Sequence, residues 1–249
     1  MRIAVANVKG GSGKTSLAAL ITLTLESAGA VVQASDFDEQ GALTSWLGRM
    51  KDSKVEVISP TQTKIGEGEI SHEIGDFPPI APANLAKMVE GWDVILAPCL
   101  PSPMDVQSLA AFITALPDPT KAKVVWNAVE TSSLSRPETL AEMLSPHGIK
   151  AAKATIPRRA CFRYAQLSGL KALDDAAMNA INSLTLEVFN MKLRKRLPLQ
   201  EVYMPPRSME EINAEVMKCA ETEQLEAGDV EILSMYKLRG FGKKKEKPQ

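Results

Sequence analysis

Cysteine and histidine are both scarce in this chain of 249 residues. Its three cysteines, Cys99, Cys161 and Cys219, are too far apart for a C-x-x-C metal or redox pair and too few for a disulfide framework. Structural thiols in a reducing compartment are expected. Two histidines, His72 and His147, are too few for a histidine-based metal centre. Long apolar runs are also missing. None approaches the roughly 20 residues of a membrane span, and Met1-Arg2-Ile3 leads straight into an apolar run with no room for a signal peptide. The expectation is a cytoplasmic chain with no membrane span. Bulk charge is nearly absent too: a formal net charge of -1 excludes no class of partner, so charge must be read locally. What is there is ordinary for a globular protein, 45% hydrophobic and 24% charged, and long enough for one large α/β domain with a full core and a short appendage.

Against that plain background, Lys9-Gly10-Gly11-Ser12-Gly13-Lys14-Thr15 follows the apolar run Ile3-Ala4-Val5-Ala6 and precedes an apolar-rich helical stretch from Leu17 to Leu25. Glycines let the backbone fold closely enough for successive amide N–H groups to point at phosphate oxygens, and the following helix adds the positive end of its dipole. The stretch reads as a phosphate-binding loop, with Lys14 on the β- and γ-phosphates and the Thr15 hydroxyl on Mg²⁺. The general pattern wants a glycine six residues before this lysine. Here that position is Val8, and a second lysine, Lys9, stands just inside the loop. Lys-Gly-Gly-x-Gly-Lys-Thr resembles the deviant Walker A motif of the ParA/MinD family, in which the early lysine reaches across a nucleotide-sandwiched dimer to the partner's ATP. The resemblance makes Lys9 and Lys14 catalytic and Lys9, Gly10, Gly11, Ser12, Gly13, Lys14, Thr15 and Ser16 nucleotide contacts. Lys9 has no expected intramolecular task that Lys14 does not already meet. The lack of a cysteine cluster separates the chain from iron–sulfur relatives of this superfamily.

The helix after the loop should run from about Ser16 to a cap at Gly29, and Val31 to Ser35 should be a strand. That strand delivers Asp36-Phe37-Asp38-Glu39-Gln40-Gly41 to its carboxyl end, where ligands bind in open α/β sheets. Alone, the hexapeptide reads as an acidic turn capping the next helix. Together with the loop it resembles the D-x-D-P-Q-G-x-x-T-x-W stretch of ParA proteins, which gives Asp36 a place in the Mg²⁺ shell and Asp38 the task of positioning the attacking water. Glu39 stands where the family has proline.

Val55 to Ile58 reads as a short strand, and the next twenty residues, with Gly66, Gly68, Gly75 and the Pro78-Pro79 pair, read as a loop or lid. A helix from Ala83 to Glu90 leads to a buried strand, Asp93 to Ala97. The family pattern D-x-x-x-x-D-x-P places its metal-proximal Walker B aspartate at the end of this strand, where the chain has Pro98. The expectation is that Asp36 and Asp38 manage the metal alone or that hydrolysis is impaired and slow. Asp105 to Leu116 reads as a helix, after a Pro101-Ser102-Pro103 loop that lies near phosphate in relatives. Lys123 to Asn127 reads as a strand whose terminal Asn127 is either a turn former or the asparagine that contacts adenine in the family. A helix from Arg136 to Leu144 should end at Pro146-His147-Gly148. Lys153 to Arg159 should close the last strand before a helix from Ala160 to Gly169. The run IPRRACFRYAQLSG resembles a segment of small plasmid-type ParA proteins near the base and the dimer face, which adds Pro157 to the nucleotide contacts.

From Asp174 the chain has helical spacing up to Lys192-Leu193-Arg194-Lys195-Arg196, either a basic helix end or a nucleic-acid patch. Beyond it come a proline-marked connection, an amphipathic helix from Met209 to about Leu225, and a basic tail expected to be disordered. The fold expectation is a doubly wound α/β domain of the deviant Walker A P-loop NTPase type, with a mostly parallel sheet in residues 1–196, and a C-terminal helical extension and tail in 197–249. The function that the resemblance implies is an ATP- and Mg²⁺-dependent switch that dimerises on ATP and binds DNA non-specifically, with Arg194, Lys195, Arg196, Lys243, Lys244 and Lys245 as candidates. It would position or segregate a plasmid, chromosome or other cargo at the nucleoid, with slow hydrolysis stimulated by a centromere-binding or cargo adaptor protein. Alternatives are a conjugation or plasmid-stability accessory ATPase, a nucleotide-binding module that no longer hydrolyses, and a dethiobiotin-synthetase-type ligase. Lys9, the DFDEQG segment and the basic tail oppose the ligase.

Overall fold

The structure, a computed structural model, describes residues 1–58, 71–130 and 137–196. The expected amphipathic helix from Met209 and the tail lysines Lys243, Lys244 and Lys245 lie outside the described residues. Among the described residues six strands, β1 (Arg2–Val5), β2 (Val32–Asp36), β3 (Glu56–Ile58), β4 (His72–Asp76), β5 (Val94–Cys99) and β6 (Ala122–Trp126), form one sheet in the order β3-β2-β4-β1-β5-β6. Every pairing is parallel. Parallel strands need crossovers: the helices α1 (Lys14–Ser27), α2 (Ala42–Leu47), α3 (Pro82–Met88) and α4 (Pro103–Thr114) lie between strands, and α5 (Pro137–Leu144), α6 (Cys161–Ser168) and α7 (Asp175–Arg196) follow β6.

Alternation along the central strands builds two cores. Ile3 and Val5 of β1, with Val94 and Leu96 of β5, face a cluster shared with α1, α2 and α7. Ala4 and Ala6, with Ile95, Ala97 and Cys99, face a second cluster under α3, α4 and α5. Both faces of the sheet are therefore covered, the doubly wound arrangement expected. Each large side chain buried this way contributes about 1.5–3 kcal/mol. Helix α1 is buried continuously from Leu17 to Leu25 because it lies against the sheet and is flanked by α2 and α7. It ends as expected at Gly29: the Gly29 N–H reaches the Glu26 carbonyl, and its φ of 94° turns the chain so that Ala30 N–H reaches Leu25, satisfying two carbonyls of the last turn.

Two expectations are corrected. Residues 72–76, read as loop, form the central strand β4, inserted between β1 and β2. Residues 153–159, read as the last strand, do not form one: contact with the sheet edge is reduced to isolated bridges, Val124 with Ala151 and Val129 with Pro157. In place of a regular ladder, α7 fastens this connection. Its Glu187 carboxylate accepts from Lys123 Nζ at 2.7 Å and from the Lys153 and Ala154 amides at 2.8 and 3.2 Å.

Candidate nucleotide site

The loop between β1 and α1 turns on two glycines with left-handed backbones, Gly11 at φ 75° and Gly13 at φ 93°. Gly13 is the N-cap of α1 and offers no capping side chain, and the first turn of the helix carries no acidic residue. Its leading N–H groups and the dipole are thus left to an external anion. Lys14 is buried, with Nζ 2.9 Å from the Lys9 carbonyl. Burial holds its pKa below the usual lysine range, against the opposing pull of Asp76 and Asp38. A cation in so dry a place gains strongly from a phosphate partner.

Asp76, at the end of β4, lies opposite Val5 of β1 on one side and Asp36 of β2 on the other. Its Oδ2 accepts from Thr15 Oγ1 at 2.6 Å. Its Oδ1 is buried and has no hydrogen-bond partner among the described residues, and Asp76 is 1% exposed. Burial raises its pKa to about 7; the Thr15 hydroxyl and Lys14 pull it down, Asp36 and Asp38 push it up. A carboxylate beside the loop threonine is therefore present, and the expectation that Pro98 had removed it is corrected. Pro98 belongs to β5, where its carbonyl accepts from Asn7 Nδ2 at 2.6 Å. The sequence signal was available: Asp76-Phe77-Pro78 reads D-x-P, hidden because the preceding five residues did not look like a strand.

Asp36, 2% exposed, accepts at Oδ2 from the Thr44 amide and hydroxyl at 2.8 and 2.9 Å and at Oδ1 from the Asp38 amide at 3.2 Å. It caps α2 from eight residues upstream, so its oxygens are already engaged and Asp76 is the freer metal ligand. Asp38 is half-buried, with its Oδ1 on the Gln40 amide at 3.1 Å and its charge acting on both Lys14 and Asp76. Among the described residues no group of three or more His, Cys, Asp or Glu could hold a metal ion by itself. Mg²⁺ does not require one, since it binds through one or two protein oxygens with phosphates and water completing the shell. The orphaned Asp76 oxygen beside Thr15 fits that pattern.

Next to the loop a cavity of about 200 Å³ is lined by Gly13, Ser16, Leu17, Asn127, Pro157 and Phe162, with Arg158, Arg159 and Arg163 also on its wall. The structure thus brings Ser16, Asn127 and Pro157 together on the wall of one cavity beside the loop. Asn127 also touches the loop itself, with Nδ2 2.7 Å from the Ser12 carbonyl.

Lys9 is not idle in the single chain, contrary to expectation. Its Nζ lies 3.1 Å from Asp105 Oδ1 in the first turn of α4, where Ser102 is the N-cap. Arg194, Lys195 and Arg196 are placed far from the loop. Helix α7 starts beside the cavity, which Ile181 lines, and by Phe189 has reached His72 at the opposite end of β4. None of the helices among the described residues is long and apolar enough to cross a membrane.

The sequence profile of the CobQ/CobB/MinD/ParA nucleotide binding domain matches residues 3–172. The chain belongs to this family. It is 31% identical over 209 residues to the maintenance of carboxysome distribution protein A of Halothiobacillus neapolitanus, covering 75% of this chain and 95% of the relative. A protein of the same description from Gloeobacter kilaueensis is 29% identical over 187 residues, 72% of this chain and 86% of the relative. Among solved structures the fold is similar to the MinD cell division protein of Aquifex aeolicus, with a TM-score of 0.61 at 18% identity over 80% of this chain and 99% of that one. It is also similar to apo McdA of Cyanthece, with a TM-score of 0.54 at 16% identity over 76% and 98%. The two solved structures bear on the fold alone. The family is that of a nucleotide binding domain, and its match spans the loop, Asp76 and the residues lining the neighbouring cavity.

Proposed function

We propose that this chain is a Mg²⁺-dependent ATPase that works as a dimerising switch to distribute a cargo. The observation that carries the reading is the Thr15–Asp76 pair with its free buried oxygen, set under the uncapped start of α1. Thr15 and Asp76 would hold the metal, which would supply charge neutralisation at the phosphates. Lys14 leaves the Lys9 carbonyl for the β- and γ-phosphates, and the α1 N-terminus binds the same anion. Asp38 orients a water whose oxygen bonds to the γ-phosphorus as the bond to the β–γ bridging oxygen breaks, releasing ADP and phosphate. Phosphoryl transfer demands little beyond this positioning and charge stabilisation. Lys9 exchanges Asp105 for the nucleotide of a second copy, so ATP favours the dimer.

The names of the two curated relatives, which refer to carboxysome distribution, support a distributed cargo; plasmid or chromosome segregation uses the same chemistry and is kept as the second form. Non-specific DNA, bound through Arg194, Lys195, Arg196 and the tail lysines, is the proposed surface on which the switch travels, and an adaptor on the cargo is the proposed stimulator of hydrolysis. The non-hydrolysing alternative rested on Pro98 and loses its support with Asp76 in place. The test is equilibrium ATP binding beside single-turnover cleavage for wild type and Asp38→Ala. Mg²⁺-dependent binding by both, with cleavage lost only in the variant, is expected; equal cleavage removes Asp38 from the water-positioning role. Stimulation by a small carboxylate substrate in place of DNA or an adaptor would favour the ligase.

A further inference from the structure

We propose that Asn127 is a positioning residue of the phosphate loop, holding the Ser12–Gly13 peptide in its binding orientation, in addition to any contact it makes with a base. The inference rests on the reading of the site as a nucleotide site. Asn127 stands at the end of β6, its own amide fixed to the Cys99 carbonyl at 2.8 Å. Its side chain is held at both ends. Oδ1 accepts from the Ala128 amide at 2.9 Å, and Nδ2 donates to the Ser12 carbonyl at 2.7 Å. This pairing fixes which end of the carboxamide is which, because exchanging oxygen and nitrogen would set donor against donor and acceptor against acceptor. Ala128, whose N–H meets Oδ1, itself takes a left-handed backbone, φ 52°, unusual for a residue other than glycine.

The consequence for the loop follows from peptide geometry. In a trans peptide the C=O and the following N–H point in opposite directions. Fixing the Ser12 carbonyl on Asn127 therefore fixes the Gly13 N–H away from Asn127 and back toward the loop. Ser12 is 1% exposed, so without Asn127 its carbonyl loses a partner that water does not readily replace. Gly13, free of a Cβ, would let the peptide rotate in search of another. Packing shows how closely the two residues are matched. A Cβ at position 13 would fall 2.1 Å from Asn127 Nδ2, so the carboxamide occupies the space that any other residue at 13 would need. One side chain thus joins the wall of the base cavity to the anion loop, and what happens in the cavity is felt in the loop.

The two roles are separated by a ligand with phosphates and no base. Affinities for ATP and for inorganic tripolyphosphate, each with Mg²⁺, are measured for wild type, Asn127→Ala and Asn127→Ser, whose hydroxyl keeps an acceptor near the Ala128 amide. Amide hydrogen exchange over residues 9–16 is followed in the nucleotide-free proteins, with thermal melts to show that the variants are folded. The expected result is a loss of about tenfold for both ligands alike, with faster exchange in the loop, as for a buried hydrogen bond removed from a binding element. Loss for ATP with tripolyphosphate unchanged makes Asn127 a base reader and overturns the proposal while leaving the nucleotide reading intact. Unchanged exchange over the loop in both folded variants also overturns it. Failure of the wild type to bind either ligand removes the nucleotide reading and this inference with it.

Discussion

At the scale of single residues, Asp76 carries the most consequence. An acid normally titrating near 3.8 is held at about 7, chiefly by burial, so the folded protein retains a proton that the unfolded chain has released. The folded state binds more protons between those values, and stability contributed by this group falls as pH rises from about 4 to about 7, then levels off. Asp76→Asn removes that decline. Urea unfolding at pH 5 and pH 8 should show the variant gaining on wild type at the higher pH, and an identical pH dependence in the two proteins would mean that Asp76 ionises freely. If Asp76 holds the metal as proposed, the same substitution removes one of its oxygen ligands, and Mg²⁺-dependent ATP affinity should drop at least tenfold, read by titration calorimetry. Cys99 is shifted in the same direction. Burial pushes its thiol up to about 12, and it should stay unmodified by iodoacetamide in the native protein at pH 8.

At the scale of elements, β4 explains both the fold and the limit of the sequence. Its residues His72-Glu73-Ile74-Gly75-Asp76 include one large aliphatic side chain, and the others are accommodated by partners distant in the chain. His72 packs on Phe189, with ring centroids 5.1 Å apart. Glu73 pairs with Arg2 at 2.7 Å and accepts from the Ser35 hydroxyl. Gly75 lies under Trp92, and Asp76 belongs to the site. No local periodicity reports such a strand, because its burial is produced by tertiary contacts rather than by its own apolar pattern. The loop and α1 were legible for the converse reason: spacing, glycines and capping act within some twenty residues. The acidic segment after β2 was legible as part of the site, but which aspartate stands on Thr15 depends on strand order and was not. Gly75 offers a direct test of the packing. A Cβ there would meet Trp92 at 2.6 Å and Phe77 at 2.8 Å, in a group where Phe77 stacks on Phe37 at 4.5 Å and the Arg2 guanidinium covers Trp92 at 4.5 Å. Gly75→Ala should cost about 1–3 kcal/mol by overpacking, seen as a melting point lowered by several degrees.

At the scale of the whole molecule, the ion pair of Lys9 with Asp105 sets a competition between the single chain and the pair. The lysine side chain is 35% exposed and the pair is partly screened, so its hold is weak, within about 1 kcal/mol. Lys9→Ala should bind ATP yet remain monomeric on sizing, whereas Asp105→Asn should dimerise at equal or lower protein concentration. A Lys9→Ala protein that dimerises normally would remove the sandwich. Binding to duplex DNA should weaken steeply with salt, and replacing Arg194, Lys195 and Arg196 by alanine should lower the slope of log affinity against log salt by up to about 3 if each meets a phosphate. An unchanged slope would leave those charges as solvated helix-end residues. The strand order has one more consequence, for the chain as it is made. Both neighbours of β1 are encoded later than β2, so a nascent polypeptide leaving the ribosome keeps its first strand with two open edges until residue 76 has cleared the exit tunnel. At about 5–20 residues per second that is an interval of several seconds in which the phosphate loop has no sheet to stand on, and a chaperone at the tunnel mouth would meet the protein in this state.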